Sequence, residues 1–338
     1  MLERRKIFWH KFMSRARNKY SLYFFSILFI LSLFAEIISN DKPIVMSLDE
    51  QIYFPIMVKY TDKELGGYFD TEADYKDEFI TKRIKSADNW AIFPLNPHSY
   101  HSINLSNSTP NPASPSNYNY LGTDDRGRDV LARLIYGFRL SVLFAFALTA
   151  IGILIGIFFG AIQGYFAGRT DLYLQRFIEI WSSMPELYIL IIFSSLFEPS
   201  VFLLIVLLSL FGWMSLSDYV RAEFLKGRNL EYVIAARTLG LTNTQIILKH
   251  ILPNSMVSVI TFLPFRISGA ILILTSLDFL GLGVPPDTPS LGELLSQGKE
   301  NIEAWWLSIS TFFVLVGTLL LLIFIGEGIR ESLDTRSS

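Results

Sequence analysis

Cysteine is absent from all 338 positions, which removes disulfide frameworks, iron–sulfur ligation and thiol nucleophiles from consideration. Histidine is scarce, and His10, His98, His101 and His250 fall in three separate regions. His98 and His101 are close in sequence, but the Pro/Ser/Asn-rich stretch around them offers no third ligand for zinc. No Gly-x-Ser-x-Gly elbow occurs. The nearest approach to a phosphate-cradling loop is Gly292-Glu293-Leu294-Leu295-Ser296-Gln297-Gly298-Lys299-Glu300. Its spacing is one residue too long, and Glu300 stands where a magnesium-holding Ser or Thr is needed. The chain thus has no catalytic constellation, no metal site and no cofactor of its own, and energy for any work must come from elsewhere. A net charge of −2 points to neither nucleic acid nor acidic partners.

What the chain has in abundance is apolar length. Hydrophobic residues make up 51% of it, and 28 are phenylalanine. Runs at 20–38, 140–166, 177–197, 201–219, 255–279 and 307–325 approach the roughly 20 residues that cross a bilayer as helix. The expected fold class is therefore an all-α polytopic membrane protein with six spans. The first run has basic residues ahead of it, like a signal peptide. It is longer than a signal core and no small-x-small cleavage site follows, so it reads as a retained anchor.

Charge sets the expected orientation. Residues 1–19 carry Arg4, Arg5, Lys6, Lys11, Arg15, Arg17 and Lys19 against Glu3, which places this end in the cytoplasm. A nucleic-acid arm is the rival reading, and the immediate anchor argues against it. Residues 39–136 then form an outer, periplasmic insert. Within it, 49–90 holds enough apolar and aromatic residues for a small cap, and 104–119 reads as a linker. Val130, Leu131, Leu134 and Ile135 suggest a short interfacial helix before the second span. Asp124, Asp125 and Asp129 lack the alternating ligands of a calcium loop and read as a solvated turn. The core is 137–325, with a cytoplasmic loop at 220–254, a tail at 326–338, and Trp305 and Trp306 in an interfacial belt.

Three features are candidates for function. The first is the polar island Glu231-Tyr232-Val233-Ile234-Ala235-Ala236-Arg237-Thr238-Leu239-Gly240, followed by a second helix up to Pro253. Asn229 is the expected N-cap, Gly240 the left-handed terminator, and Thr242 with Gln245 a capping box. Alone, it could be a helix-turn-helix; between two spans it is a folded loop at a membrane face. The second feature is Gly152, Gly156, Gly160 and Gly164, four residues apart, a smooth face for a neighbouring helix of this subunit or of a partner. The third is Arg266, deep in the fifth span. It either lines a cavity for a substrate carboxylate or an acidic gate, or pairs structurally with Asp218 or Glu179.

Ala235-Ala236-x-x-x-Gly240 followed by Leu252-Pro253 resembles the EAA loop of ABC importer permeases. Glu231-Tyr232-Val233-x-Ala235-Ala236 and His250-Ile251-Leu252-Pro253-Asn254 resemble its peptide-importer branch, as do Leu121-Gly122-Thr123-Asp124 through Leu131 and Phe279-Leu280-Gly281-Leu282-Gly283. The insert, with Tyr53-Phe54-Pro55, Gly66-Gly67 and Ala73-Asp74-Tyr75, is similar to the YejE type, permeases of microcin C and oligopeptide importers. The resemblance implies a type I importer permease of the bacterial inner membrane, multi-pass, with both termini cytoplasmic. It implies a second permease of the YejB type, a separate ATPase that binds ATP and magnesium, a periplasmic peptide-binding protein, a peptide substrate and a lipid surround, with no nucleic acid. Glu231, Ala235, Ala236, Gly240, His250, Leu252 and Pro253 would form the ATPase-coupling loop. The alternative is a self-sufficient secondary transporter or channel, which would need paired intramembrane charges or inverted repeats.

Overall fold

A computed structural model describes residues 2–86, 89–103 and 110–333. Among the described residues the regular structure is helical apart from one small sheet, with irregular backbone through much of 39–129. In order, the elements are α1 (Leu2–Ser14), α2 (Ala16–Leu33), α3 (Ala35–Ile38), β1 (Val45–Leu48), β2 (Gln51–Tyr53), α4 (Glu78–Ile84), β3 (Trp90–Ile92) and α5 (Val130–Phe166). They continue with α6 (Gly168–Ser182), α7 (Glu186–Leu196), α8 (Val201–Gly212), α9 (Met214–Gly227), α10 (Glu231–Thr238) and α11 (Asn243–Ile246). After a π-helical turn at Ile247–Ile251 come α12 (Leu252–Phe279), α13 (Leu291–Glu300) and α14 (Trp305–Leu333).

Among the described residues, four segments are long and apolar enough to span a membrane: Val130–Phe166, Val201–Gly227, Asn243–Phe279 and Trp305–Leu333. A fifth is the pair Gly168–Ser182 and Glu186–Leu196, bent by 64°. The expected third span, 177–197, is therefore not one straight helix. Pro185 has no N–H to continue the α6 ladder and pushes Met184 out of helical geometry. The first expected span is helical too, but breaks at Phe34, and Arg17 and Lys19 occupy its opening turn.

One other expectation is corrected. No separate interfacial helix precedes the second span, because α5 runs unbroken from Val130. Within the expected tail at 326–338, α14 continues to Leu333.

The chain divides into two compact units, Met1–Ser26 with Ser141–Pro285 and Val316–Ser338, and Ile27–Leu140 with Pro286–Leu315. In the first unit the basic N-terminal segment is anchored. Arg15 pairs with Glu331, Arg17 lies 3.0 Å from Glu327, and the Arg17 guanidinium sits over the Phe324 ring.

The second unit contains the insert. Its sheet has the order β2-β1-β3, all antiparallel, with Met46 opposite both Tyr53 and Ala91. The β1–β2 turn is the two residues Asp49 and Glu50, both at positive φ, as a tight hairpin of matching twist requires. Met46, Leu48, Leu65, Tyr75, Ile80 and Ile84 form its core. The Tyr136 hydroxyl donates to the Ser39 carbonyl at 3.0 Å, and Arg139 holds Glu36 through two bonds of 2.9 Å.

His98 is buried in the same unit, against the Tyr118 ring. Its Nε2 lies 3.0 Å from the Tyr118 carbonyl, so it carries the proton there, and Nδ1 accepts from the Lys76 ammonium at 3.1 Å. Burial and the Lys76 charge push the imidazole below its ordinary range, against the opposing pull of Asp129 and Asp41. A ring with a lowered folded pKa supports folding above its unfolded value, about 6.5, and loses that support as pH falls. We expect the insert to be cleaved faster by added protease near pH ~5.5 than near ~7.5, and His98→Gln to flatten the difference. Equal cleavage at both pH values in the unsubstituted protein would sink this reading.

Candidate functional site

The island folds as two short helices packed onto the spans. Val233 and Ala236 of α10 and Ile246 of α11 are buried in one cluster with Ile251, Ala161, Tyr165, Leu216, Val220 and Phe224. The alanine pair is split by helix geometry: Ala236 faces this core and Ala235 faces out. Glu231 lies exposed in the first turn of α10, where a carboxylate suits the positive end of the helix. Gly240 has φ of +80° and open space around it, so it turns the chain without packing against anything. The capping box of Thr242 and Gln245 is present in both directions. Asn229 does not cap. The position is held by Leu230, and the Asn229 amide donates back to the Leu225 carbonyl at 3.3 Å.

Further bonds fasten the island. The Tyr232 hydroxyl donates to the His250 carbonyl at 3.4 Å, and the Asn254 amide donates to that hydroxyl at 3.0 Å and to the same carbonyl at 3.2 Å. The Tyr165 hydroxyl donates to Asn243 at 2.7 Å, and the Arg237 guanidinium lies over the Tyr165 ring. Asp171 grips Arg221 at 2.5 and 2.7 Å, tying α6 to α9. The second helix runs on through Pro253, but not unchanged. That proline cannot bond the Lys249 carbonyl and its ring crowds that oxygen, and the preceding turn widens to π geometry, closing with Leu252 N–H to Ile247. Ile234, Leu239 and Leu248 remain exposed on this island although they are apolar.

The glycine row faces α8 and α9 of this same chain. A Cβ on Gly160 would come 2.5 Å from the Ser217 carbonyl oxygen, and one on Gly164 would come 2.6 Å from that of Arg221. At Gly152 the neighbour is Arg266 Nη2, at 3.3 Å. The structure thus brings two of the sequence candidates together.

Arg266 pairs with neither Asp218 nor Glu179. Asp218 accepts from Gln175 at 3.2 Å and Glu179 is paired with Arg176 at 2.5 Å. Arg266 instead donates to the Gly212 carbonyl and, at 3.1 Å, to the Ser215 hydroxyl, while its Nε is buried without a partner among the described residues. It lines a cavity of about 490 Å³ together with Thr149, Glu186, Phe211, Met214 and Ile273. Sequence reading passed over Glu186, although an acid next to Pro185 inside an apolar run was a visible signal.

In the second unit two of the three acids of the cluster leave solvent, while Asp125 stays exposed. Asp124 and Asp129 are buried. Asp124 accepts from Arg128 Nε at 2.7 Å and lies 3.6 Å from Arg133 Nε; Glu293 of α13 takes Arg128 at 3.1 Å and Arg133 as well. Burial draws the Arg128 guanidinium down, but Asp124 and Glu293 outweigh it and hold it above its ordinary range. Asp129 accepts from Asn96 and Asn119, each at 2.8 Å, and from the Ala132 N–H. Trp306 is buried rather than set in a belt, with its indole donating to the Thr123 carbonyl at 3.2 Å; Trp305 stays exposed.

Comparison with known proteins places these features in a family. Residues 152–338 match the family described as binding-protein-dependent transport system inner membrane component. The chain is 47% identical to the peptidoglycan transport system permease protein YejE of Agrobacterium fabrum, over 98% of this chain and 92% of that one. It is 47% identical to the inner membrane ABC transporter permease protein YejE of Escherichia coli, over 96% and 95% respectively. The oligopeptide transport system permease protein OppC of Haemophilus influenzae is 40% identical, over 65% of this chain and 71% of its own. Among solved structures, the MetNI methionine ABC transporter in an inward-facing conformation shares the fold, with a TM-score of 0.50, 17% identity, and coverage of 60% of this chain and 97% of that one. With its near-complete match to YejE permeases and its four helices of spanning length, this chain belongs to the binding-protein-dependent inner-membrane permeases of ABC importers, in their peptide-transport branch.

Proposed function

We propose that this chain is one of two permease subunits of an ATP-driven peptide importer, working by alternating access. The observation that carries the reading is the island: two capped helices, fused by a buried cluster to the helices that span, with Ile234, Leu239 and Leu248 left uncovered. A surface of this kind transmits a push only if it is rigid, and its fastening to α5 and α9 supplies rigidity. A separate ATPase holding ATP and magnesium would take the exposed side, with Glu231, Ala235 and Gly240 at the contact. His250, Leu252 and Pro253 would carry motion through the π turn into α12. Closing of the ATPases would then shift the equilibrium between inward- and outward-open states.

The remaining partners in this reading are a second permease of the YejB type and an extracytoplasmic peptide-binding protein, the latter supported by the family's description as binding-protein-dependent. Substrates are peptides, with microcin C-like and peptidoglycan-derived peptides as the first to test, the latter because one relative is named for peptidoglycan transport. Both termini and the island lie on the cytoplasmic side, and the insert lies on the other.

Gly240 gives the test. Its φ of +80° penalises a β-branched side chain by backbone strain alone, since nothing lies within 4 Å. Gly240→Val is expected to reduce ATPase co-purification and peptide uptake about tenfold, as a strain of 1–2 kcal/mol implies, while membrane insertion persists. Gly240→Asn, which tolerates left-handed geometry, is expected to keep most uptake. Wild-type uptake in Gly240→Val would count decisively against coupling through this loop.

A further inference from the structure

A broken span borders this cavity. The break lies between α6 and α7, bent by 64°, and Ser182, Met184 and Glu186 from it line the space; Gly212, Met214 and Ser215 line it from the α8–α9 junction, where Trp213 keeps right-handed helical geometry. Irregular backbone inside an apolar bundle persists where it borders a polar or water-filled space, and broken spans are where transported solutes are held. The cavity also holds two opposite charges that do not neutralise one another. Arg266 is oriented by neutral acceptors only, the Gly212 carbonyl and the Ser215 hydroxyl, and has a buried Nε to spare. Glu186 has no ion-pair or hydrogen-bond partner for its carboxylate among the described residues. Unpaired, half-buried charges of both signs in an open cavity within an apolar bundle are costly unless water or a ligand completes them.

We infer that this cavity is a binding site for the two ends of a short zwitterionic peptide. Arg266 takes the terminal carboxylate and Glu186 takes the terminal ammonium. The guanidinium fork matches a carboxylate, and its fixed orientation by Gly212 and Ser215 lowers the entropy cost of that contact. Phe211, Met214 and Ile273 meet peptide side chains by apolar contact, which is tolerant of sequence. The volume of about 490 Å³ lies within the range of small-ligand sites, so selection is by the charged ends of short peptides rather than by a long side-chain pattern. Gly152 contributes by leaving room: a side chain there would press on Arg266 Nη2. This inference rests on the reading of the chain as a peptide permease.

The absence of cysteine makes the test direct, because Ser182→Cys introduces the only thiol in this chain. The assembled transporter carrying Ser182→Cys is placed in nanodiscs, and its rate of maleimide labelling on this chain is followed. Tri-alanine is expected to slow labelling, while tri-alanine amide and N-acetyl-tri-alanine each need about tenfold more peptide for the same protection, the loss a missing charged hydrogen bond brings. Arg266→Gln is expected to erase the difference between acid and amide, Arg266→Lys to keep part of it, and Glu186→Gln to erase the difference between free and acetylated peptide. Equal protection by all three peptides overturns the inference, as does absence of protection by tri-alanine. Retention of the acid–amide difference in Arg266→Gln overturns the role given to that residue. Should a variant fail to assemble, the three-peptide comparison in the Ser182→Cys complex decides alone. Gly240-dependent uptake with equal protection would leave the permease reading in place and remove this site; loss of both would remove both.

Discussion

Glu293→Ala is expected to cost roughly 3–5 kcal/mol, the range for removing one partner of a buried ion pair, and to leave the second unit open to protease. The side chain of Arg133 is 0% exposed and that of Glu293 18%, so water does little to screen the loss. Glu293 accepts from Arg128 at 3.1 Å, from Arg133, and from Gln297 at 3.2 Å. Without it, Asp124 alone faces two buried guanidinium groups, leaving one positive charge uncompensated. The remaining Arg133 bonds, to the carbonyls of Thr288 at 3.1 Å and Tyr100 at 3.3 Å, are to neutral acceptors. Adding Arg133→Met to Glu293→Ala removes the surplus charge, and part of the stability is expected to return. Thermal unfolding of the purified permease and cleavage of the insert measure both. A Glu293→Ala protein with unchanged melting, or a double variant no better than the single one, would remove the charge argument.

Gly160→Leu and Gly164→Leu are expected to abolish accumulation of folded permease. Even a methyl group at either position meets carbonyl oxygens of α9, at 2.5 Å from Ser217 and 2.6 Å from Arg221, and backbone cannot swing aside as a side chain can. Overpacking costs about 1–3 kcal/mol where side chains give way, and more where two helices must part. Parting them also stretches the Gln163 amide bond to the Ser217 hydroxyl, 3.0 Å, and opens the cluster around Val220 and Phe224 on which the island rests. The row is graded. A Cβ on Gly156 meets Leu216 side-chain atoms at 3.0 Å, and one on Gly152 meets only Arg266 at 3.3 Å and Gly212 beyond. Alanine substitutions are therefore expected to harm most at Gly160 and Gly164, less at Gly156, and least at Gly152. Melting temperature and membrane yield of the four variants read out that order, and a flat response would mean the row is not the close contact described.

The features legible in the sequence are those set by chemistry within a few residues. Apolar runs identify spans because lipid demands apolar composition along each helix separately. The capping box at Thr242 and the left-handed turn at Gly240 are local, and both appear in the folded chain. Asn229 misled because Leu230 occupies the cap position one residue later. The polar segment around Asp124 misled for a different reason. Its partner Glu293 is far along the chain, so a buried clasp and a solvated turn share one local pattern.

The sequence by itself determined a multi-pass membrane chain, the place of its capped two-helix island, and the family to which it belongs. Each of these rests on composition or on residues close together in the chain. Only the tertiary structure decided that the glycine row meets α9, that Arg266 is oriented by Gly212 and Ser215, that Glu186 shares its cavity, and that Glu293 closes on Arg128 and Arg133. Those pairings join residues tens to more than a hundred positions apart. Their energies come from burial and from charges brought within hydrogen-bonding distance, quantities that exist only once the helices have packed.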